Sequence, residues 1–139
     1  MSEAFIVDAS VGFAWVYPSQ SSAETDKLLE EIEAGAAAVV PSLWFLEMAN
    51  SLLAAQQRKL PSAAERRTAL DKLSKLSLTV DEEIVQTAFR KTSELAEKQG
   101  LSVYDAVYLE AAIRRKLPLG SRDAPLRAAA KRCGIRLRG

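Results

Sequence analysis

Histidine is absent from this chain, and cysteine occurs only once, as Cys133. A zinc site of the usual kind needs several cysteine or histidine ligands, so the sequence excludes one. Catalysis by a Ser-His-Asp triad or a Cys-His pair within this chain is excluded for the same reason. A single cysteine forms no internal disulfide, which is typical of a reducing compartment. We therefore expect a cytoplasmic protein.

Long apolar runs are missing as well. No stretch of about 18 or more uncharged apolar residues is present, so we expect no membrane-spanning helix. The N-terminus lacks the positive region followed by an apolar region that marks a secretion signal. Hydrophobic residues still make up 48% of the 139 residues. This is enough for a real core, and the length predicts one domain over residues 1–139.

The balance of charge changes along the chain, although the net charge is only +1. Residues 1–110 carry 10 basic and 17 acidic side chains, whereas residues 111–139 carry 9 basic side chains and one acid, Asp123. A basic segment around a single acid suits a polyanionic partner. A solvated basic tail explains the same charges without a partner, and charge alone leaves both interpretations open.

Asp105 lies among apolar residues in the segment LSVYDAVYLEAA, whose apolar positions recur at helical spacing. A carboxylate on or beside such a face is costly to desolvate unless something pairs with it. A helix cap, a basic partner or a metal ion is the usual reason to keep one. Ser102 and Asp105 fit the capping-box pattern, which explains Asp105 without any functional site.

Three further acids stand in similarly unusual places. Asp8 ends the apolar run at 5–7, Glu47 lies in the apolar helix segment SLWFLEMANSLLAA, and Asp123 follows a short apolar run. Most of the other fourteen acids lie in plainly solvated stretches such as LLEEIE. Four isolated acids at the ends of elements or on apolar helices, Asp105 included, predict one shared site.

Strand and helix patterns alternate along the chain. The apolar patterns predict strands over residues 1–8, 37–40, 76–80, 117–121 and 135–137. They predict helices over residues 10–15, 22–34, 42–59, 62–73, 81–98, 102–117 and 124–133. This alternation is typical of a parallel α/β sandwich, in which sites lie at the carboxyl ends of the strands. It brings at least Asp8 and Asp123 to one edge of the sheet.

Four segments, in order, resemble the PIN-domain ribonucleases, and most of all the VapC-type toxins of toxin–antitoxin pairs. They are IVDASVGFAWVYP, PSLWFLEMANSLLAA, LSVYDAVYLEAA and LPLGSRDAPLRAAA. The resemblance spans nearly the whole chain. It implies a five-stranded parallel sheet flanked by helices and an endonuclease that cleaves RNA with Mg²⁺ or Mn²⁺. It also implies a cognate antitoxin as partner and a homodimer.

The resemblance places the four acids of the family on Asp8, Glu47, Asp105 and Asp123. Hard divalent cations bind oxygen ligands, and three or four carboxylates can hold one or two of them beside a phosphodiester. We expect Asp8 and Asp105 to be direct metal ligands. Glu47 and Asp123 are then ligands of a second ion or hold its waters.

Polar residues near these acids are candidates for orienting them. The resemblance places Ser10 and Asn50 on supporting positions of the family, and Ser121 stands where Thr is frequent and keeps a hydroxyl. Gly120 stands where Ala is frequent. We expect Ser10, Asn50 and Ser121 to orient the carboxylates. Ser10 can instead be the N-cap of its helix, and Asn50 a satisfied buried amide.

Five basic residues near the C-terminus are candidate contacts to an RNA backbone: Arg114, Arg115, Arg127, Lys131 and Arg132. We expect the antitoxin to block the acids with an arginine, because a guanidinium pairs bidentately with a carboxylate.

Four apolar residues are candidate walls of the groove that receives the antitoxin, or else belong to the core: Trp15, Trp44, Phe45 and Leu46.

Other classes fit the residues less well. A phosphate-accepting signalling domain needs paired acids early in the chain and a lysine near a late strand, but Asp8 stands alone and positions 117–123 contain no lysine. A dehalogenase-like phosphatase needs a second acid at position 10, which is Ser10. The better alternative is a non-catalytic PIN-like module that binds RNA or a protein.

Overall fold

A five-stranded sheet, parallel throughout, organises the part of the chain that this computed structural model describes, residues 3–58 and 61–138. The strands are β1 (Phe5–Val7), β2 (Ala38–Pro41), β3 (Leu78–Asp81), β4 (Leu119–Gly120) and β5 (Leu137–Arg138). Their order across the sheet is β3-β2-β1-β4-β5. The predicted parallel α/β architecture is confirmed. The predicted starts and ends at residues 1 and 59 lie outside the described residues.

Eight α-helices flank this sheet in the described ranges. They are α1 (Ala9–Val16), α2 (Ala23–Glu33), α3 (Leu43–Gln57), α4 (Ala63–Ser74), α5 (Ile84–Thr87), α6 (Ser93–Gln99), α7 (Val103–Arg115) and α8 (Ala124–Arg132). Helices α1 to α4 pack against one another, whereas α7 packs across β1, β2 and β4. None of the described helices is long and apolar enough to cross a membrane.

The central strand β1 is apolar at every position because both of its faces are covered. Phe5, Ile6 and Val7 are fully buried. Such a continuous apolar run is typical of a parallel strand between two helical layers. The residue that follows, Asp8, is thereby carried to the carboxyl end of the middle strand of the sheet.

The helix predicted to start at Ser10 begins one residue earlier, at Ala9. Asp8 is the N-cap, since its carboxylate accepts a hydrogen bond of 3.2 Å from the Val11 N–H. The alternative in which Ser10 caps this helix is therefore wrong. A capping carboxylate satisfies an orphan N–H of the first turn, and it fixes the side chain of Asp8 at the strand–helix junction.

The long helix predicted over residues 81–98 is also corrected. Asp81 does not cap a helix but ends β3, and the helical segment is divided into α5, a π-helical turn over Ala88–Thr92, and α6. The carboxylate of Asp81 instead accepts hydrogen bonds from Arg114 and Arg115. Those partners come from α7, more than thirty residues later, and no local pattern announces them.

Candidate functional site

Asp8 is the most enclosed of the four predicted acids, with 4% of its surface exposed. The Ser10 hydroxyl donates to its Oδ1 at 2.6 Å, and the Ser121 hydroxyl donates to its Oδ2 at 2.5 Å. Burial raises the pKa of the Asp8 carboxyl, and these hydrogen bonds offset only part of that effect. The two serines therefore orient a carboxylate that its surroundings make costly to ionise.

The same two serines join the loop between β4 and α8 to the start of α1. The Arg122 N–H donates to the Ser10 hydroxyl at 2.8 Å, and the Asp123 N–H donates to the Ser121 hydroxyl at 3.0 Å. Asp123 is itself the N-cap of α8 and accepts from the Leu126 N–H at 3.0 Å. Asp8 and Asp123 are thus held on one edge of the sheet by a shared set of hydroxyls.

Glu47 is half-buried on α3, and the Tyr108 hydroxyl of α7 donates a hydrogen bond to its Oε1. Burial raises the pKa of the Glu47 carboxyl, the hydrogen bond lowers it, and the charges of Asp105 and Asp8 raise it further. Burial and the nearby Glu47 carboxylate raise the pKa of Tyr108, which therefore remains a donor.

Tyr108 is a residue of the site that the sequence analysis missed. It has 1% of its surface exposed and belongs to the apolar pattern of α7, so it looks like an ordinary core residue. Its spacing is the available signal, because a residue three positions after Asp105 lies on the same helix face.

Asp105 lies in the first turn of α7 and is half-buried. The predicted cap is present, since the Asp105 N–H donates to the Ser102 hydroxyl at 3.1 Å. This bond uses the backbone of Asp105 rather than its side chain. Burial raises the pKa of the Asp105 carboxyl, and the charge of Asp123 raises it further.

These mutual influences show that the four acids form one cluster, here called the acid quartet: Asp8, Glu47, Asp105 and Asp123. Asp123 raises the pKa values of Asp8 and Asp105, while Asp105 and Asp8 both raise the pKa of Glu47. Like charges act in this way only over short distances. The tertiary structure thus gathers acids that are up to 115 positions apart in the sequence.

The donor set of the quartet fits a hard divalent cation in its chemistry. The donors are carboxylate oxygens with two hydroxyls behind them, which Mg²⁺ and Mn²⁺ prefer. Within residues 3–58 and 61–138, however, no three His, Cys, Asp or Glu side chains are already arranged to hold a metal ion. The carboxylates share one cleft without forming a closed coordination shell.

Asn50 lies one turn after Glu47 on α3 and is exposed. The alternative of a satisfied, buried amide is therefore wrong. Asn50 lines a cleft of about 580 Å³ together with Ser10 and Arg122. Its support of the carboxylates stays a prediction.

The five basic residues predicted to contact RNA have different surroundings. The guanidinium of Arg114 pairs with Asp81 at 2.9 Å and with Glu110 at 3.0 Å, and that of Arg115 pairs with Asp81 at 2.6 Å. These contacts balance the charges of Arg114 and Arg115, so we leave both residues out of the RNA surface.

The other three basic residues belong to α8. Arg127 donates to the carbonyl oxygen of Ser121 at 2.8 Å, beside the quartet. Arg132 is exposed and donates to Gln99, and Lys131 is exposed. Their contact with RNA stays a prediction.

The apolar residues proposed as groove walls divide into two pairs. Trp15 and Trp44 are buried and belong to the core, and the Trp44 indole N–H donates to the backbone carbonyl of Asp8 at 3.2 Å. Phe45 and Leu46 are 45% and 72% exposed on α3. Only this second pair is accessible to a partner.

The sequence matches one known family over almost its whole length. A profile of the PIN domain covers residues 5–132. This chain is a PIN-domain protein. The resemblance of the four sequence segments is thereby confirmed at the level of the family. No curated protein matches the sequence.

Solved structures share the fold of this PIN-domain chain. PAE2754 from Pyrobaculum aerophilum matches with a TM-score of 0.68 at 25% identity, over 91% of this chain and 78% of its own. VapBC2 from Rickettsia felis, bound to a DNA fragment from its promoter, matches at 0.66 and 14% identity, over 96% of both chains. FitAcB from Neisseria gonorrhoeae matches at 0.63 and 14%, over 96% of this chain and 95% of its own. At 14% identity the last two show a shared fold.

Proposed function

We propose that this PIN-domain protein is a metal-dependent endoribonuclease and the toxin of a toxin–antitoxin pair. The observation that carries the proposal is the acid quartet, four mutually repelling carboxylates at the carboxyl edge of a parallel sheet. Clustering charges of one sign in a partly dry cleft is costly without a counter-charge. A divalent cation is the counter-charge that oxygen donors select.

The residues of the chain divide the work of phosphodiester hydrolysis. Asp8 and Asp105 hold the cation, and Glu47 and Asp123 hold a second ion or its waters. A divalent cation, when bound, supplies Lewis acidity to the phosphate and the attacking water. Ser10, Asn50 and Ser121 orient the carboxylates, and Tyr108 holds Glu47 toward the other acids. The expected products carry a 3′-hydroxyl and a 5′-phosphate.

An antitoxin covers the quartet in this proposal, and the protein forms a homodimer. Three of the structures with this fold are of VapBC2, FitAcB and a toxin–antitoxin complex from Klebsiella pneumoniae, which supports a partner protein here. Exposed Phe45 and Leu46, close in sequence to Glu47, offer that partner an apolar contact. Light scattering at tens of micromolar, together with co-purification from the native operon, tests both assemblies. A monomer without a partner contradicts them.

Cleavage of RNA tests the catalytic proposal directly. We expect wild-type protein to cut RNA with Mn²⁺ or Mg²⁺ and to stop in EDTA. Asp8→Asn and Asp105→Asn each remove a charge from the metal site and should lower the rate at least ~10²-fold. Asp71→Asn, an exposed acid of α4 paired only with Lys75, is the matched control and should cleave normally. Normal cleavage by both site variants, or cleavage that persists in EDTA, refutes the proposal.

A non-catalytic PIN-like module that binds RNA or a protein is the alternative. It predicts RNA or protein binding without any metal-dependent loss of full-length RNA. The presence of all four acids favours the nuclease, because a binding module gains nothing from carboxylates that repel a phosphate backbone.

A further inference from the structure

The cleft beside the acid quartet carries the opposite charge. It opens between α1, α3 and the loop that joins β4 to α8, and we call it the arginine cleft. Its polar and aromatic lining consists mainly of Ser10, Phe13, Gln20, Asn50, Arg58 and Arg122. Two of these residues are cationic, and none of the described lining residues is acidic. Its volume of about 580 Å³ lies within the range of small-ligand sites.

The arginine cleft and the quartet share a wall. The Ser10 hydroxyl donates to Asp8 at 2.6 Å and accepts from the backbone N–H of Arg122 at 2.8 Å. Asn50 lines the arginine cleft one helical turn after Glu47. A strand that places one phosphate at the quartet therefore runs directly past this cleft.

The two arginines lie on opposite elements of the arginine cleft. Arg122 comes between Ser121 and Asp123, and its guanidinium donates to the backbone carbonyl of Gln20. That bond orients the group and uses one of its five N–H donors. Arg58 is exposed at the C-terminal end of α3. A guanidinium matches the geometry of a phosphate bidentately, so the pair is suited to a phosphodiester.

We propose that the arginine cleft binds the nucleotide that flanks the scissile phosphate of a single-stranded RNA, with Arg58 and Arg122 contacting its phosphate. The proposal rests on the proposed function, because it takes the quartet as the place of cleavage. A nucleotide fits better than an acidic protein segment. The half-buried ring of Phe13 offers a stacking surface, and the side chains of Gln20 and Asn50 offer hydrogen bonds to base edges.

Binding without cleavage is the first part of the test. A fluorescent single-stranded RNA of about ten nucleotides is titrated with the full chain in EDTA, across a range of salt. Arg58→Ala and Arg122→Ala should each weaken binding about 5- to 10-fold. Each should also lower the slope of log K against log salt by about 0.7, the value for one lost phosphate contact in a single strand. Arg90→Ala, an exposed arginine on the π-helical turn outside the arginine cleft, is the control and should change neither quantity.

Neutralising a phosphate on the RNA is the second part. A series of the same RNA carries one uncharged methylphosphonate at successive positions around the mapped cleavage point. The wild type should lose affinity at one position next to the scissile phosphate, and Arg58→Ala should lose nothing further there. Arg58→Lys should restore part of the affinity but less of the positional preference, because an ammonium is a point charge without the planar fork.

Three outcomes overturn the proposal. One is equal losses for Arg90→Ala and the cleft variants, which means diffuse attraction. Another is a neutral phosphate whose effect is the same in wild type and in Arg58→Ala. The third is displacement of the RNA by a polyglutamate peptide as effective as unlabelled RNA, which assigns the arginine cleft to an acidic protein partner. Each leaves the nuclease proposal intact if the wild type cuts RNA with Mn²⁺, whereas a wild type that never cuts refutes the proposed function and this subsite together.

Discussion

At the scale of single residues, the Tyr108–Glu47 hydrogen bond has the clearest consequence. Tyr108→Phe removes the donor and leaves the ring, so the core keeps its packing while Glu47 loses its support. We expect the affinity for Mn²⁺, measured by calorimetry, to fall about 10-fold, the usual cost of losing an outer-shell partner. Tyr104→Phe, an exposed tyrosine of the same helix, is the matched control.

A double-mutant cycle decides whether Tyr108 acts through Glu47. Once Glu47→Gln has weakened the site, Tyr108→Phe should add no further loss of Mn²⁺ affinity. An unchanged affinity in the single Tyr108→Phe variant, or fully additive losses, means that the hydroxyl is a packing feature only.

At the scale of elements, the contact between α1 and α3 positions two of the four acids. A Cβ added at Gly12 would lie 2.7 Å from Cζ2 of Trp44 and 2.8 Å from Sδ of Met48. Gly12→Ala should therefore destabilise the fold by about 1–3 kcal/mol in urea unfolding, because both neighbours are buried. Helix propensity alone predicts the opposite sign, a gain of up to about 1 kcal/mol. A stabilised variant contradicts the close packing.

Helix α8 is the element whose charges were predicted to bind RNA. Replacing Arg127 and Lys131 with Ala should weaken the binding of all RNA sequences alike and lower the salt slope by roughly one to two units. Paired replacement of Lys91 and Lys98, which are exposed near α6, serves as the control. An unchanged slope means that α8 presents a solvated face.

At the scale of the whole molecule, two carboxylate groups give stability opposite dependences on pH. Burial raises the pKa of Asp81, but hydrogen bonds from Arg114 and Arg115 outweigh it and hold the pKa at about 2. A lowered pKa stabilises the fold above the unfolded value of 3.8, and this contribution is lost as pH falls through about 2. The pKa values in the quartet are raised, chiefly by burial. Their contribution is present below the unfolded values of about 4 and is lost as pH rises through the raised folded-state values.

Without metal, stability should therefore be greatest near pH 4 to 5, in the window between these two effects. Asp105→Asn removes one like charge and should stabilise the metal-free protein at pH 7 by up to about 1 kcal/mol. The gain is limited because Asp105 is half-exposed and solvent screens its charge. Mn²⁺ should raise the melting temperature of the wild type and much less that of the variant.

Thermal melts of both proteins, in EDTA and in Mn²⁺, measure these changes, with Asp71→Asn as control. A helix-capping role alone for the Asp105 side chain predicts the reverse, a less stable variant with or without metal. A variant less stable than wild type in EDTA, beside a wild type indifferent to Mn²⁺, leaves Asp105 as a cap and removes support for the metal site.

The sequence by itself determined the parallel α/β class, the strand-end positions of Asp8 and Asp123, and the cap at Ser102. These features follow from periodicity, strand ends and capping residues, all of which act over a few positions. Only the tertiary structure decided that Tyr108 reaches Glu47, 61 positions away, and that Arg114 is paired with Asp81 across 33. Both contacts depend on how α7 crosses the sheet, and that crossing is set by the packing of the whole core rather than by any local pattern.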